Sequence, residues 1–504
     1  MNTSADELEQ IARRASDAAP AWAATSPSVR AEALVAAADA LEDAGPELVA
    51  IGMDETGLSQ ARLTGELKRT AVQLRLFAEV VLDGAYLDVR IDEADGEFAL
   101  GVRPDLRRYQ IPVGPVVNFA ASNFPFAFSV AGGDTASALA AGNPVIVKAH
   151  SGHPSLSAHT AKVVAGALEA ACAPPGTLQL ISGQEAGVAM LKHPLIAAGS
   201  FTGSIRVGRM LADIAAARSA PIPFYGELGS VNPAFVTQAA LVEQAAAIAD
   251  GFVTSVSASA GQFCTKPGFL FLPAGHGVGE QLAAKAAAVD EHRMLNPGIA
   301  IGFRDRRSAI LNTPGVTILA EGMLRFDDSG QGWATPTIVS ISVADLLARR
   351  EALTDEAFGP LSIVVEYNPD DDLAAVADQL FEGSLTGTVH TGSGEDTARL
   401  RSLIQWLTQH TGRVLFGGWP TGVAVSPAMQ HGGPWPSTTN DTGTSVGTAA
   451  IARFLRPVSY QGAPQGLLPE PLRDDNPWGV PQHRNLAGDS LTWGDSARPS
   501  HVHP

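Results

Sequence analysis

A chain of 504 residues is too long for one simple core, and two or three domains are expected. Its 45% hydrophobic and 17% charged composition excludes a disordered polymer, and two cysteines exclude a disulfide framework, which points to a reducing, cytoplasmic setting. A formal charge of −18 with no basic patch argues against nucleic acid, and neither a secretory leader nor an apolar run of membrane-spanning length is seen, so no membrane partner is expected.

Residues 1–85 read as helical. In TSPSVRAEALVAAADALEDAG, Ser26 is a cap, Pro27 a first-position proline and Gly45-Pro46 a stop, and RLTGELKRTAVQLRLFAEVV keeps helical spacing. The charged, irregular segment 86–112 suits an arm. From residue 112 short apolar runs (PVGPVVNFAA, PVIVK, TLQLI, GSFTG, PIPFYGEL) alternate with helical stretches, which implies an α/β fold with a parallel sheet and ligands beyond the strands' carboxyl ends. A second alternating set, with PGFLFLP, LSIVVEY, TGTVH and RVLF, runs from 229 to 447. Residues 462–504 hold seven prolines and are expected to lie extended over a neighbour or to be partly disordered. There is no G-x-G-x-x-G and no G-K-[ST], so any nucleotide is held without those loops.

Three stretches carry reactive side chains. Cys264 in GQFCTKPG sits among Gly261, Pro267 and Gly268, a turn whose free amides would lower a thiol pKa; a lone cysteine is otherwise a small buried hydrophobe. Cys172, at the end of GALEAACAPPG, reads as structural. Glu227 in FYGELGSVNP is either an ion-paired loop residue or a base whose pKa burial raises toward neutrality. Asn123 in AASNFPFAFS is either a turn former before proline or an amide donor to a developing oxyanion.

In this order, N-F-P-F, E-L-G and G-Q-F-C resemble the aldehyde dehydrogenase superfamily, with VIVKAHSGHP, SFTGSIRVGR, EAFGP and LFGGWPTGVAVSPAMQHGGPWPS as further matches, over about residues 5–461. The resemblance implies a Rossmann-type cofactor domain (1–90 and 113–228), an α/β catalytic domain (229–447) and a small oligomerisation arm (91–112 and 448–461) that pairs copies into a homodimer or homotetramer. It implies that the Cys264 thiolate attacks an aldehyde, that the Asn123 amide and the Cys264 N–H hold the oxyanion, and that hydride passes to a nicotinamide. Glu227 then activates water, so the product is an acid and not a coenzyme A ester. On the same pattern Gly203 and Ser204 take the pyrophosphate at a helix N-terminus, Glu356 and Phe358 grip the nicotinamide ribose, and Lys148 reaches the adenosine ribose. No metal is expected.

NAD-preferring relatives commonly carry a glutamate three residues after this lysine; here the run is Lys148-Ala149-His150-Ser151. Two like charges about 4 Å apart cost roughly 4 kcal/mol at an effective dielectric of 20, and without that penalty NADP is expected, NAD being tolerated, with a protonated His150 adding a second cation. Several stretches, among them ETGLSQARLTGELKRTAVQLRLFAEVV and HGGPWPSTT, are most similar to the branch acting on ketoglutarate semialdehyde (2,5-dioxopentanoate), although a fatty-aldehyde branch using NADP resembles the same segments. A substrate with a distal carboxylate calls for a cation, with Arg62, Arg69 and Arg413 as candidates; a long-chain aldehyde calls for an apolar channel of Phe124, Phe128 and Trp419. The alternative of another class is a catalytically silent protein on the same fold, against which the presence of Cys264, Glu227 and Asn123 argues.

Overall fold

The computed structural model describes residues 2–495. Five short strands, β1 (Val116–Phe119), β2 (Val145–Lys148), β3 (Leu178–Ile181), β4 (Ala198–Thr202) and β5 (Phe224–Glu227), form an all-parallel sheet in the order β3-β2-β1-β4-β5. All four residues of β1 are buried, as expected for a strand covered on both faces. The one polar residue among them, Asn118, donates to Thr135 Oγ1 at 3.0 Å and accepts from Ser200 Oγ at 3.1 Å. Strand order reverses between β1 and β4, and such a switch point opens a crevice at the carboxyl ends.

A second sheet joins β6 (Pro233–Val236), β7 (Phe269–Pro273), β8 (Thr337–Ser342), β9 (Leu361–Tyr367), β10 (Ser384–His390) and β11 (Thr411–Phe416) in the parallel order β8-β9-β7-β6-β10-β11, with Thr317–Ala320 antiparallel at the β8 edge. The helix Gln238–Ser257 lies on it through Leu241, Ile248, Phe252, Val253 and Val256. With the turn that follows, it reaches a mean hydropathy of 1.2 over a membrane-spanning length, which the sequence reading missed. Its apolar face is spent on the sheet core.

At the N-terminus Ser26 caps the helix Pro27–Asp43, its Oγ accepting from Val29 N at 3.5 Å. Gly45-Pro46 follows that helix but also opens the next, Gly45–Thr56. The helix Gln60–Asp83 then lies beside the helix before it and reaches the Asn123 turn.

The C-terminal stretch departs from expectation. Residues Gln482–Asn485 form a strand parallel to Val89–Asp92, the outer member of a four-stranded arm sheet with Leu106–Pro112 and Leu455–Gln461. Leu468, Leu472 and Val480 are buried against Leu87, Val89 and Ile91, and Arg107 donates to Leu472 O at 2.7 Å and Asp474 at 2.8 Å. The prolines thus shape turns between buried apolar anchors instead of keeping the chain extended; the end of that expected tail, 496–504, lies outside the described residues. Cys172 also differs: it is exposed, with φ of 68° just past a helix end, and packs into no core.

Candidate active site

The turn bearing Cys264 runs from the end of the Gln238–Ser257 helix to β7. Ser259, Ala260 and Gly261 all have left-handed backbones, with φ of 49°, 53° and 64°, a conformation that costs non-glycine residues of order 1 kcal/mol or more and survives where surrounding contacts impose it. Those contacts are visible. Gln262 donates to Ser259 O at 2.9 Å and accepts from Leu295 N at 2.8 Å. Asn232, at the end of the GELGSVNP stretch, donates to Cys264 O at 2.7 Å and Lys266 O at 3.0 Å, and is itself fixed by Ser230 and Thr386. At position 261, any Cβ would stand 2.4 Å from Gly359 O, so only glycine fits.

Asn123 reaches the same turn from the end of β1 and donates to Gln262 O at 3.1 Å. An amide has two donors, so one stays available to the cleft. Its own loop is held by the helix Gln60–Asp83. Glu66 accepts from Phe126 N and Ala127 N, both at 2.9 Å, while Arg62 is paired with Glu66, donates to Asn123 O at 3.3 Å and lies over Phe124 with 4.5 Å to the ring centre. Arg62 is therefore committed to positioning Asn123.

Glu227, at the end of β5, is buried behind Cys264. Its Oε1 lies 2.8 Å from His431 Nε2, and its Oε2 accepts a short hydrogen bond from Ser445 Oγ. His431 Nε2 is also within hydrogen-bond distance of Cys264 Sγ, at 3.6 Å, so it sits between sulfur and carboxylate. Burial pushes the Glu227 carboxyl up, but the charge and hydrogen bonds of His431, with those of Ser445 and Cys264, outweigh it and hold the group below its usual value. That corrects the expectation of a raised Glu227. The thiol is corrected in the opposite sense: burial, then the carboxylates of Glu227 and Glu356, push Cys264 well above its ordinary value. Local amides of the turn cannot offset two carboxylates in a dry pocket.

Neither His431 nor Asn232 was singled out from sequence. His431 lay inside the quoted run MQHGGPWPS, and a histidine between glutamine and two glycines was the available signal.

From Cys264 a cleft of about 1130 Å³ runs along the carboxyl ends of β1 and β4, past Asn123, Glu356, Phe358, Gly203 and Ser204 to Lys148, His150 and Ser151. All the expected site residues except Glu227 line it, and Glu227 stands just behind the sulfur. Gly203 and Ser204 link β4 to the helix Ile205–Ala216, whose N-terminus lines the cleft, and a helix N-terminus suits an anionic pyrophosphate. Glu356 reaches the cleft because residue 229 is glycine: a Cβ there would be 2.4 Å from its Oε2. Burial raises the Glu356 carboxyl to about 7, partly offset by the Lys266 ammonium and the Ser230 N–H. Likewise Gly187 leaves room for Lys148, whose Cγ a Cβ would approach to 3.0 Å. These residues fit a dinucleotide stretched from Lys148 to Cys264.

His150 does not become the second cation. Its Nδ1 accepts from Gly152 N at 3.0 Å, its ring stacks on His153, and burial followed by the charges of His153 and Lys148 drops its pKa to about 3, so it is neutral. The cations lining the cleft are instead Lys148, Lys192, Arg206 and Arg306, with Glu185 and Glu356 as its carboxylates. Of the apolar candidates, Phe124 packs against both Phe128 and Phe263, whereas Trp419 lies against Phe252 and His390.

A sulfur nucleophile backed by a histidine-held carboxylate, at the end of a dinucleotide-sized cleft on two α/β units, defines an NAD(P)-linked oxidoreductase of aldehydes. The chain belongs to the aldehyde dehydrogenase family, whose model it matches over residues 1–457. Over 488 residues it is 42% identical to alpha-ketoglutaric semialdehyde dehydrogenase 2 of Azospirillum brasilense (95% of this chain, 91% of the relative), and over 479 residues 42% identical to alpha-ketoglutaric semialdehyde dehydrogenase of Acinetobacter baylyi (94% and 89%). Its fold is shared by an NAD-dependent aldehyde dehydrogenase from Sinorhizobium meliloti, with a TM-score of 0.75 at 22% identity over 92% of this chain and 88% of that one.

Proposed function

We propose that this aldehyde dehydrogenase oxidises 2,5-dioxopentanoate to 2-oxoglutarate by a hydrolytic route, with NADP preferred over NAD. The observation that carries the route is the Cys264–His431–Glu227 contact at the end of the cleft. Glu227, kept ionised by His431, takes the thiol proton as sulfur bonds the aldehyde carbon, which ends the unfavourable pairing of a buried thiolate with two carboxylates. The second N–H of Asn123 and the Cys264 backbone N–H donate to the new oxyanion; one such donor is typically worth about 3–4 kcal/mol. A dinucleotide held in the cleft would supply the hydride acceptor that turns this adduct into a thioester. Once Glu227 has released the thiol proton to solvent, it draws a proton from water, whose oxygen attacks the thioester carbon. The C–S bond breaks, and Glu227 returns that proton to the leaving Cys264 sulfur as a carboxylic acid departs.

The substrate rests on the names of the two 42% identical relatives. NADP rests on Ser151 in place of an acid and on the excess of cations (Lys148, Lys192, Arg206 and Arg306) over carboxylates (Glu185 and Glu356) lining the cleft. A fatty aldehyde is the second reading, favoured by the aromatic cluster of Phe124, Phe128 and Phe263 beside Cys264 in the chain and the Asn123 turn. A homo-oligomer built through the arm fits the unpaired outer edge of Leu455–Gln461. The test is reduction of each dinucleotide with 2,5-dioxopentanoate and with decanal, with and without coenzyme A, in wild type and Cys264→Ser. Oxidation independent of coenzyme A and a loss of at least roughly 1000-fold in Cys264→Ser are expected; an absolute need for coenzyme A overturns the hydrolytic route, and preference for decanal overturns the substrate.

A further inference from the structure

Three arginines stand near the thiol, and their hydrogen bonding separates them. Arg62 is ion-paired with Glu66 and bonded to Asn123 O. Arg69, two turns further along the same helix, has a buried Nη1 with no hydrogen-bond partner, and its guanidinium lies over Phe128, 5.4 Å from the ring centre. Arg413, on β11, is anchored by Nη1 to Gly422 O at 3.2 Å and by Nη2 to Pro420 O at 2.8 Å, while its Nε is buried and unpartnered. These two side chains come from opposite units of the molecule, the N-terminal helices and the second sheet.

Both stand close enough to Cys264 for charge on the sulfur to act on them, and burial disfavours the charged form of each. Arginine does not deprotonate in compensation, so each remains a cation with one buried N–H that no protein acceptor among the described residues meets. Glu66 and Glu227 act on the Arg69 charge but neither meets its Nη1, and a buried N–H left unmet is costly until an acceptor completes it. The reacting carbon of an aldehyde must lie at Cys264 Sγ. In an extended five-carbon chain a carboxylate at the far end is then only roughly 5 Å away, so its receptor has to be near the sulfur.

We propose that Arg69 and Arg413 together form the subsite that reads the distal carboxylate of the substrate, making the enzyme selective for short aldehydes that end in an anion. This rests on the anionic-substrate reading above, but names a class wider than 2,5-dioxopentanoate. The test is kcat/KM for 2,5-dioxopentanoate, succinic semialdehyde and uncharged pentanal in wild type, Arg69→Gln, Arg69→Lys, Arg413→Gln and Arg62→Gln. A second readout is calorimetric binding of 2-oxoglutarate to Cys264→Ser protein, alone and combined with Arg69→Gln.

The ratio of anionic to neutral kcat/KM is expected to fall roughly 30-fold in Arg69→Gln and about 10-fold in Arg413→Gln, as for loss of a hydrogen bond to a charged group. The change should lie in KM, with partial recovery in Arg69→Lys and an unmoved ratio in Arg62→Gln, and 2-oxoglutarate binding should weaken by a similar factor. Equal losses on anionic and neutral aldehydes, or an unmoved ratio in both Gln variants, overturn the subsite. If wild type favours succinic semialdehyde over 2,5-dioxopentanoate while the ratios still fall, the subsite stands and the specific substrate fails. No preference for either anion over pentanal defeats both.

Discussion

The two ends of the cleft are built on different principles. At the sulfur end Glu227 and His431 are almost fully buried, Ser445 closes on the carboxylate, and Asn232 and Gln262 clamp the strained turn. At the adenosine end Lys192, Glu185 and Arg206 are exposed, and charges of both signs are mixed. Desolvated, crowded charges shift one another strongly, while exposed ones are screened. The chemistry is therefore rigidly specified and the choice of dinucleotide only softly, and substitutions at the two ends should differ in scale.

The largest effect is expected for Glu227→Gln, which removes the base: steady-state turnover should fall by roughly 100- to 10,000-fold. Rapid-mixing kinetics should still show dinucleotide reduction outrunning hydrolysis, with the acyl group on Cys264 by mass spectrometry. A fall without acyl-enzyme accumulation would give Glu227 a role only in thiol activation. His431→Gln follows. Removal of the ring takes away the largest influence holding the Glu227 pKa down and leaves only the Ser445 and Cys264 hydrogen bonds against burial, so that pKa rises. The value of kcat/KM should drop roughly 10- to 100-fold at neutral pH and its acid limb should move to higher pH. A pH profile that keeps its shape would show that His431 only fills space.

At the middle of the cleft the Glu356 carboxyl titrates near 7. Below that pH it carries a proton and loses acceptor capacity, so dinucleotide affinity by fluorescence titration should weaken several-fold as pH falls through about 7. Glu356→Gln should bind more weakly and show no such dependence. The smallest effect belongs to the open end: Glu185→Gln should raise the NADP-to-NAD ratio of kcat/KM by up to roughly 5-fold, the scale of an exposed charge contact. A shift tenfold or more would mean that Glu185 touches the ribose directly and that this end is less soft than its exposure implies.

What could be read from sequence follows the same division between local and distant. Alternating apolar runs such as PVIVK and TLQLI carry their strand signal within a few residues, and Asn123, Glu227 and Cys264 stand in short runs whose chemistry is local. His431 acts on Cys264 across 167 positions, and Asn232 on the same loop across 32, so neither role exists until the chain is folded. The signs of the Cys264 and Glu227 shifts were misjudged for this reason: the turn's amides are visible in GQFCTKPG, but the two carboxylates and the imidazole facing them are not. Arg62, Arg69 and Arg413 looked alike in sequence and were separated only by which N–H groups remain unpaired.

The strand Gln482–Asn485 seals one border of the arm sheet and leaves Leu455–Gln461 as the other. Growth of that sheet is thereby made one-sided, which favours a closed assembly of few copies over an endless ribbon. A polypeptide ending at 461 would bare Val89–Asp92 as a second sticky border together with Leu87 and Ile91 beneath it. Light scattering on that shortened chain should reveal polydisperse growth where the full chain gives a single mass.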